Sequence, residues 1–217
     1  MLGNINESTR NKWIENQLRL IPNGRRILDA GAGLQPYRQF CKHLVYVSQD
    51  FCNYDGKGDG TGRQNDEWDY PETDLICDIL SIPEPDKSFD VILCSEVLEH
   101  IPDPISALYE FNRLLKLKGK LILTTPFASL THQSPNYFYT GFSSNFYKTW
   151  LPNYKVTIEY NGNYYEWLAQ ELHRTGITLK GFPQVYEYLE SKQKEDLNSH
   201  LILCYGLMVT AIKVKNE

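Results

Sequence analysis

The stretch Arg25-Arg26-Ile27-Leu28-Asp29-Ala30-Gly31-Ala32-Gly33-Leu34-Gln35-Pro36 decides how the rest of the chain is read. It is a short apolar strand that ends on a carboxylate and breaks into a glycine turn. Gly31 and Gly33 permit backbone angles and a close ligand approach that a Cβ would obstruct. In an open α/β sheet such a turn lies at the carboxyl end of a strand, where ligands bind. The spacing predicts a helix just beyond, over residues 36–43.

An ordinary strand–turn–helix corner would need no ligand, and a nicotinamide or flavin site with GxGxxG is the chemical rival. Here Pro36 holds the third glycine position, where close helix–strand packing calls for glycine. Asp29 would also bring a carboxylate towards a pyrophosphate, which Coulomb repulsion disfavours. The same carboxylate suits a ligand that carries an ammonium and a sulfonium. DxGxG after an apolar strand resembles motif I of the class I S-adenosylmethionine (SAM)-dependent methyltransferases.

Working outward, residues 8–20 place Trp13, Ile14, Gln17, Leu18 and Ile21 along one helical stripe, with Ser8 or Thr9 as its cap. Pro22-Asn23-Gly24 stops that helix. Residues 44–50 read as a second strand ending on Asp50, 21 residues beyond Asp29. An acidic residue about 20 positions after the glycine turn commonly bonds ribose hydroxyls. SAM and NAD both carry that ribose, so Asp50, followed by Phe51, points to a nucleoside without choosing between them.

Residues 52–72 form a polar, glycine-rich loop without the GxxxxGK[ST] spacing of a phosphate loop. Gln64 and Trp68 are its inward-facing candidates over the site. Residues 73–79 read as a third strand and 88–95 as a fourth. Amphipathic spacing predicts a helix over 104–118, with Lys116 and Lys118 at its C-terminal end and Gly119 as its stop. Strands over 120–127 and 154–160, a helix over 142–151, helical segments between 163 and 198 and a last strand between 201 and 214 complete the order.

The segment Phe89-Asp90-Val91-Ile92-Leu93-Cys94-Ser95-Glu96-Val97-Leu98-Glu99-His100-Ile101 resembles the ubiquinone-biosynthesis-like methyltransferases. So does LKLKGKLILTTP over 115–126, with Lys118 for the usual proline and a single glycine. The resemblance spans roughly residues 24–160. It implies a Rossmann-like, doubly wound, seven-stranded sheet with the last strand antiparallel and a helical insertion before it. It also implies one methyltransferase domain over 1–217, with an N-terminal helix in 1–23 and substrate-side insertions at 126–141 and 162–198. By the same resemblance, Asp29, Gly31, Gly33, Asp50, Phe51, Asp78, Ile79, Ser95, Glu96 and His100 hold SAM, whose product is S-adenosylhomocysteine. Asp78 and Ile79 would hold the adenine, and the Ser95 tip the methionine part. His100 reads equally as a helix-start histidine bonded to a local carbonyl. Glu96 and Glu99, three apart, would share a helix side.

Residues 131–140 interrupt the strand–helix rhythm. They partly match a pattern of His, Pro, Asp, aromatic and Arg residues in methyltransferases from bacterial surface-polysaccharide clusters, with Asn136 for the Asp and no Arg. That resemblance implies a saccharide hydroxyl or a related small metabolite as methyl acceptor. His132 is the candidate base and Tyr137 the candidate acceptor-orienting residue. Aromatics at 137–139, 146–150 and 160–167 could form a stacking wall or simply pack the core.

Composition narrows the partners. The 217 residues carry a net charge of −5 with no run of more than two Lys or Arg, which argues against a nucleic-acid footprint. No apolar run reaches the length of a membrane span, and the first residues lack a signal peptide's basic start and apolar core. Five cysteines without CxxC spacing suggest reduced thiols in a cytoplasmic protein. Cys41 and His43 are too poor a pair to predict a metal, so none is expected. Composition does not set the oligomeric state. Two further readings stand beside the methyltransferase. One is an NAD-dependent nucleotide-sugar epimerase or dehydrogenase, for which no YxxxK pair is recognisable. The other is a non-catalytic SAM-binding module.

Overall fold

The computed structural model describes residues 2–65, 67–177 and 179–215. Seven strands form one sheet in the order β3-β2-β1-β4-β5-β7-β6. They are β1 (Arg26–Ala30), β2 (Val45–Asp50), β3 (Leu75–Ile76), β4 (Phe89–Ser95), β5 (Leu115–Pro126), β6 (Tyr154–Asn161) and β7 (Gly206–Lys213). β7 runs antiparallel to both its neighbours, while the pairs among β1 to β5 are parallel. The expected last antiparallel strand is therefore present, slotted between β5 and β6.

The sheet is buried on both faces, and the two-residue side-chain period sorts its core. Ile27, Val91, Leu93 and Ile122 face α1 (Asn6–Arg19), meeting Trp13, Ile14 and Leu18. Leu28, Ile92, Cys94, Leu121 and Leu123 face the other way, onto Ala107, Leu108, Phe111 and Leu114 of α2 (Pro104–Leu114) and Tyr147 of α3 (Ser144–Trp150). A third, smaller cluster joins Leu2 to α4 (Tyr164–Arg174) and α5 (Pro183–Glu195) through Ala169 and Leu189. No helix among the described residues is long and apolar enough to cross a membrane.

Four local expectations need correction. Residues 36–43 carry only a three-residue 3-10 turn, Arg38–Phe40. Gln35 enters it at φ 55°, and Tyr37 and Cys41 are drawn into the core against α1. α1 starts at Asn6, ahead of Ser8 and Thr9, and no side chain caps it; Ser8 Oγ donates back to the Ile5 carbonyl at 3.1 Å. β3 is two residues long because Asp74 leaves the ladder to accept from Ser48 N–H and Oγ–H at 2.8 and 2.7 Å. α2 stops at Leu114, so Lys116 and Lys118 lie on β5; there Leu115 pairs with Phe89 beside a bulge, and Lys116 Nζ reaches Asp90 at 2.9 Å. The front of α2 is conventional, with Pro104 in the first turn and Asp103 accepting from Ser106 N–H at 3.0 Å.

Candidate functional site

β1 is hydrogen-bonded to β2 on one side and β4 on the other, which makes the carboxyl end of β1 the switch point of the sheet. Gly31 sits there at φ 71° and Gly33 at φ 50°. Gly31 N–H and Ala32 N–H both donate to the Gln49 carbonyl at 2.9 Å, and Gly33 N–H donates to Asp50 Oδ2 at 2.9 Å. The other Asp50 oxygen accepts from Cys52 N–H at 2.8 Å, and the carboxylate keeps further lone pairs. Gln49, which sequence reasoning passed over, ties three strand tips together: its amide donates to the Cys77 carbonyl at 2.7 Å and accepts from Gly31 N–H at 3.2 Å.

A Cβ on Gly31 would stand 2.5 Å from Val97 Cγ2, and one on Gly33 would stand 3.1 Å from the Trp68 ring. The two sequence motifs are thus in contact, Val97 of the second packing on Gly31 of the first. Trp68, from the long loop after β2, covers the turn with Tyr54 and Tyr70 edge-on to it at 5.6 and 6.2 Å. Phe51, 61% exposed, offers an apolar surface beside Asp50.

Other predicted cofactor residues are placed differently. Asp29 lies beneath the turn, buried, accepting from Tyr46 OH at 2.6 Å. Burial pushes its carboxyl up to about 7, against the Tyr46 bond and with Asp50 adding to the rise. Asp78 accepts from Leu80 N–H at 2.9 Å and so shapes its own turn. Ile79 is in the core.

The tip of β4 forms the other wall. Ser95 Oγ lies 2.8 Å from Thr124 Oγ1 and 3.3 Å from Tyr37 OH. Glu96 follows at φ 54°, a conformation that costs a non-glycine residue of order 1 kcal/mol and is concentrated at functional sites. Its carboxylate pairs with Arg10 of α1 at 3.1 Å. The Nε of Arg10 is buried and has no hydrogen-bond partner. Arg10 carried no local signal in the sequence, since only the fold brings α1 over the β4 tip.

Beyond Glu96 a 3-10 turn, Leu98–His100, is clamped by the insertion after β5: Phe138 N–H and Tyr139 N–H donate to the Glu99 carbonyl at 2.9 and 3.2 Å. His100 Nδ1 bonds the Asn136 carbonyl at 2.5 Å, and burial lowers its pKa to about 4. His132 Nδ1 bonds the Leu130 carbonyl at 3.0 Å; burial lowers its pKa too. The His132 ring lies 4.9 Å from that of His100 and 4.7 Å from Tyr137. The Tyr137 hydroxyl donates to the Ser129 carbonyl at 2.8 Å, so its ring is the part left for an acceptor. Glu99 is fully buried with neither carboxylate oxygen partnered, and burial beside Glu96 raises its pKa well above the ordinary carboxylate range. One ligand atom from each of Glu99, His100 and His132 falls within 4.8 Å of the others, a grouping able to hold a metal ion. The separation of His132 from the EVLEH segment hid it in the sequence.

Of these groups Arg10, Glu96, Ser129 and His132 border a polar cleft of about 190 Å³, which Asn6 and Arg174, among others, also line. The loop after β2 and the insertion after β5 close over one side as a unit. Arg63 N–H donates to the Thr131 carbonyl at 3.0 Å, Gln133 N–H to the Arg63 carbonyl at 2.8 Å, and the Gln64 amide to the Ser134 carbonyl at 3.2 Å. Of the aromatic segments, Tyr147 is buried in the core with its hydroxyl 2.6 Å from Thr125, and Trp167 donates to the Ala128 carbonyl at 2.9 Å. Tyr137 is the aromatic of these segments that meets His132.

The profile of a methyltransferase domain family matches residues 5–176. The chain is 28% identical over 171 residues to a ubiquinone biosynthesis O-methyltransferase of Coxiella burnetii, covering 78% of this chain and 65% of that protein. It thus spans less than two thirds of the curated relatives it matches first. The solved structure of the YcgJ protein of Bacillus subtilis superposes with a TM-score of 0.58 at 16% identity, covering 96% of this chain and all of that one. The phosphoethanolamine N-methyltransferase 2 of Haemonchus contortus, solved with phosphomonomethylethanolamine and S-adenosylhomocysteine, gives 0.56 at 18% identity over 96% of this chain and 53% of that one. At such identities the structures speak for the fold alone. With the family match covering most of the chain and the glycine turn, Asp50 and the β4 tip meeting at the switch point, this protein belongs to the methyltransferase domain family, in its class I, SAM-dependent form.

Proposed function

We propose that this protein transfers the methyl group of SAM to a hydroxyl of a small acceptor seated in the cleft beside His132. The observation that carries the reading is the continuity of the two halves: Val97 packs on Gly31, and its neighbour Glu96 lines the same cleft as His132. The chain's own groups fit SAM. The glycine turn is a cradle that a Cβ would fill, Asp50 offers lone pairs to a ribose, Phe51 an apolar face, and Arg10, half-buried and paired with Glu96, keeps an unpartnered Nε for a carboxylate. Asp29, below the turn and bonded to Tyr46, supports its shape. Where a dinucleotide's pyrophosphate would need a helix N-terminus, this chain has a three-residue turn.

Bound there, SAM supplies an electrophilic methyl group with a neutral leaving thioether. The protein's work is then alignment and exclusion of water, which can lower a barrier by several kcal/mol. The joined loops carrying Trp68 and His132 close the site. His132, its Nδ1 spent on the Leu130 carbonyl, presents Nε2 as acceptor for the hydroxyl proton, and the Tyr137 ring orients the acceptor. Segments 126–141 and 162–198 supply this substrate side. A saccharide or related hydroxylated metabolite suits the polar lining, and five free cysteines suit a reducing, cytoplasmic setting. The test is an acceptor screen with methyl-labelled SAM, using hydroxylated sugars and nucleotide sugars beside phenolic and amine acceptors. Label transferred to sugars supports the reading. Transfer confined to amines or phenols removes the saccharide, and SAM binding without turnover on any acceptor would make this a binding module.

A further inference from the structure

We infer that the methyl acceptor carries an anionic group, a carboxylate or a phosphoryl group, and that Arg174 at the end of α4 binds it. The inference rests on the reading of the cleft beside His132 as the acceptor site, and it narrows the chemistry of what enters there.

Trp167, Gln170 and Arg174 follow one another at spacings of three and four, which puts them on one side of α4. That side is fastened to the chain leaving β5. Trp167 Nε1 donates to the Ala128 carbonyl at 2.9 Å, and Arg174 Nη1 donates to Ser129 Oγ at 3.3 Å. Gln170 and Arg174 line the cleft with Ser129 and His132. The Ser129 carbonyl in turn accepts from Tyr137 OH at 2.8 Å. One residue thus ties the guanidinium to the ring that orients the acceptor.

A cation in the last turn of a helix has a plain structural use, since it offsets the helix dipole and can pair with an acid three residues back. Glu171 does accept from Arg174 Nη1 at 3.0 Å. Three features go beyond that use. First, among the described residues the guanidinium bonds through Nη1 alone. Nε and Nη2 remain, the edge of the fork that meets a carboxylate or phosphoryl group in two parallel bonds, and the side chain is partly exposed. Second, Glu171 is buried, also accepts from Gln170 Nε2 at 3.1 Å, and is not among the described residues that line the cleft. It anchors the cation from behind. Third, the other charges in the lining, Arg10 and Glu96, pair with each other at 3.1 Å. Arg174 therefore leaves the described lining with one cation that no acid in the lining offsets.

The same charge bears on the chemistry. Burial first, and then Arg174 and Arg63 against the opposing Glu96, lower the pKa of His132. An anion seated on Arg174 offsets part of that positive charge and makes the imidazole a stronger acceptor for the hydroxyl proton. A neutral acceptor would not.

The test uses the full chain, with glucuronate and glucose 6-phosphate as charged probes and glucose as the neutral one, each titrated by NMR with and without S-adenosylhomocysteine. At least one charged probe should bind about ten- to a hundredfold more tightly than glucose, the range for hydrogen bonds to a charged group. Which of the two does so tells a carboxylate from a phosphoryl group. Arg174→Gln should erase the preference while glucose binding stays as it was, and Arg174→Lys, with the charge but without the fork, should restore only part of it. Neither charged probe binding more tightly than glucose, including no binding at all, would overturn the inference, as would a preference that survives Arg174→Gln. The comparison of probes on the parent protein decides even if the variants fail to fold. SAM titration of the same protein separates the two claims. A charge preference without SAM binding would sink the proposed function and leave the anion site standing, whereas SAM binding without the preference would do the reverse.

Discussion

Gly31→Ala puts the contact between the two motifs to a quantitative test. At φ 71° an L-residue is strained by about 1–2 kcal/mol. The added Cβ would also stand 2.5 and 2.6 Å from the two methyl carbons of Val97, and overpacking of this kind costs about 1–3 kcal/mol. The sum, about 2–5 kcal/mol, should lower the melting temperature by at least about 5 °C in a chain of this size. Val97→Ala alone removes two half-buried methyl groups and should cost about 1 kcal/mol. In the double variant the clash is relieved while the backbone strain stays, so the two substitutions should couple favourably by about 1–3 kcal/mol. Urea unfolding of the four proteins gives the cycle, and SAM calorimetry on each follows the ligand. Gly31→Ala should bind SAM weakly, with partial recovery in the double variant. Additive stabilities, or a Gly31→Ala protein as stable as the parent, would refute the packing of Val97 on the glycine turn.

Three further outcomes are expected. Asp29 has its carboxyl raised from 3.8 to about 7 in the folded chain, so between those values the folded state holds a proton that the unfolded state lacks. Stability must then fall as pH rises through that window, by up to ~4 kcal/mol, and Asp29→Asn should flatten the slope in denaturation curves from pH 4 to 8; an unchanged slope would exclude Asp29 as its source. Asp50→Ala should weaken SAM binding by about 1–3 kcal/mol, the range for hydrogen bonds to a charged group, and unchanged affinity would remove Asp50 from the ribose site. His132→Ala should lower turnover by about a hundredfold or more with SAM affinity nearly unchanged, whereas near-normal turnover in a stable, SAM-binding variant would leave alignment as the main source of rate.

The parts of this fold that could be read in advance are those fixed by local chemistry. β1 and β4 combine apolar runs with a turn or a carboxylate-rich tip, and each pattern has few structural solutions. The period-two sorting of Ile27 from Leu28, or of Leu93 from Cys94, follows from the same runs. Helix 36–43 failed because its apolar residues, Tyr37 and Cys41, are consumed by packing under α1 and not by a helical stripe. β3 shrank because the Asp74 carboxylate competes for Ser48. The candidate site was harder still. Arg10 meets Glu96, Trp68 covers Gly33, and Arg63 bridges to His132, contacts between distant segments that leave no periodic trace. His132 was singled out on resemblance, yet its packing on His100 beside the unpartnered Glu99 is visible only in three dimensions.

The central claim is that SAM binds where Gly31, Gly33 and Asp50 meet the β4 tip. Calorimetric titration of the purified protein with SAM, S-adenosylhomocysteine and NAD, repeated on Gly31→Val and Arg10→Met, addresses it most directly. The account predicts one site per chain for SAM and for S-adenosylhomocysteine, none for NAD, loss of binding in Gly31→Val and weakened binding in Arg10→Met. Tighter binding of NAD than of SAM, or SAM affinity untouched by both substitutions, would contradict it.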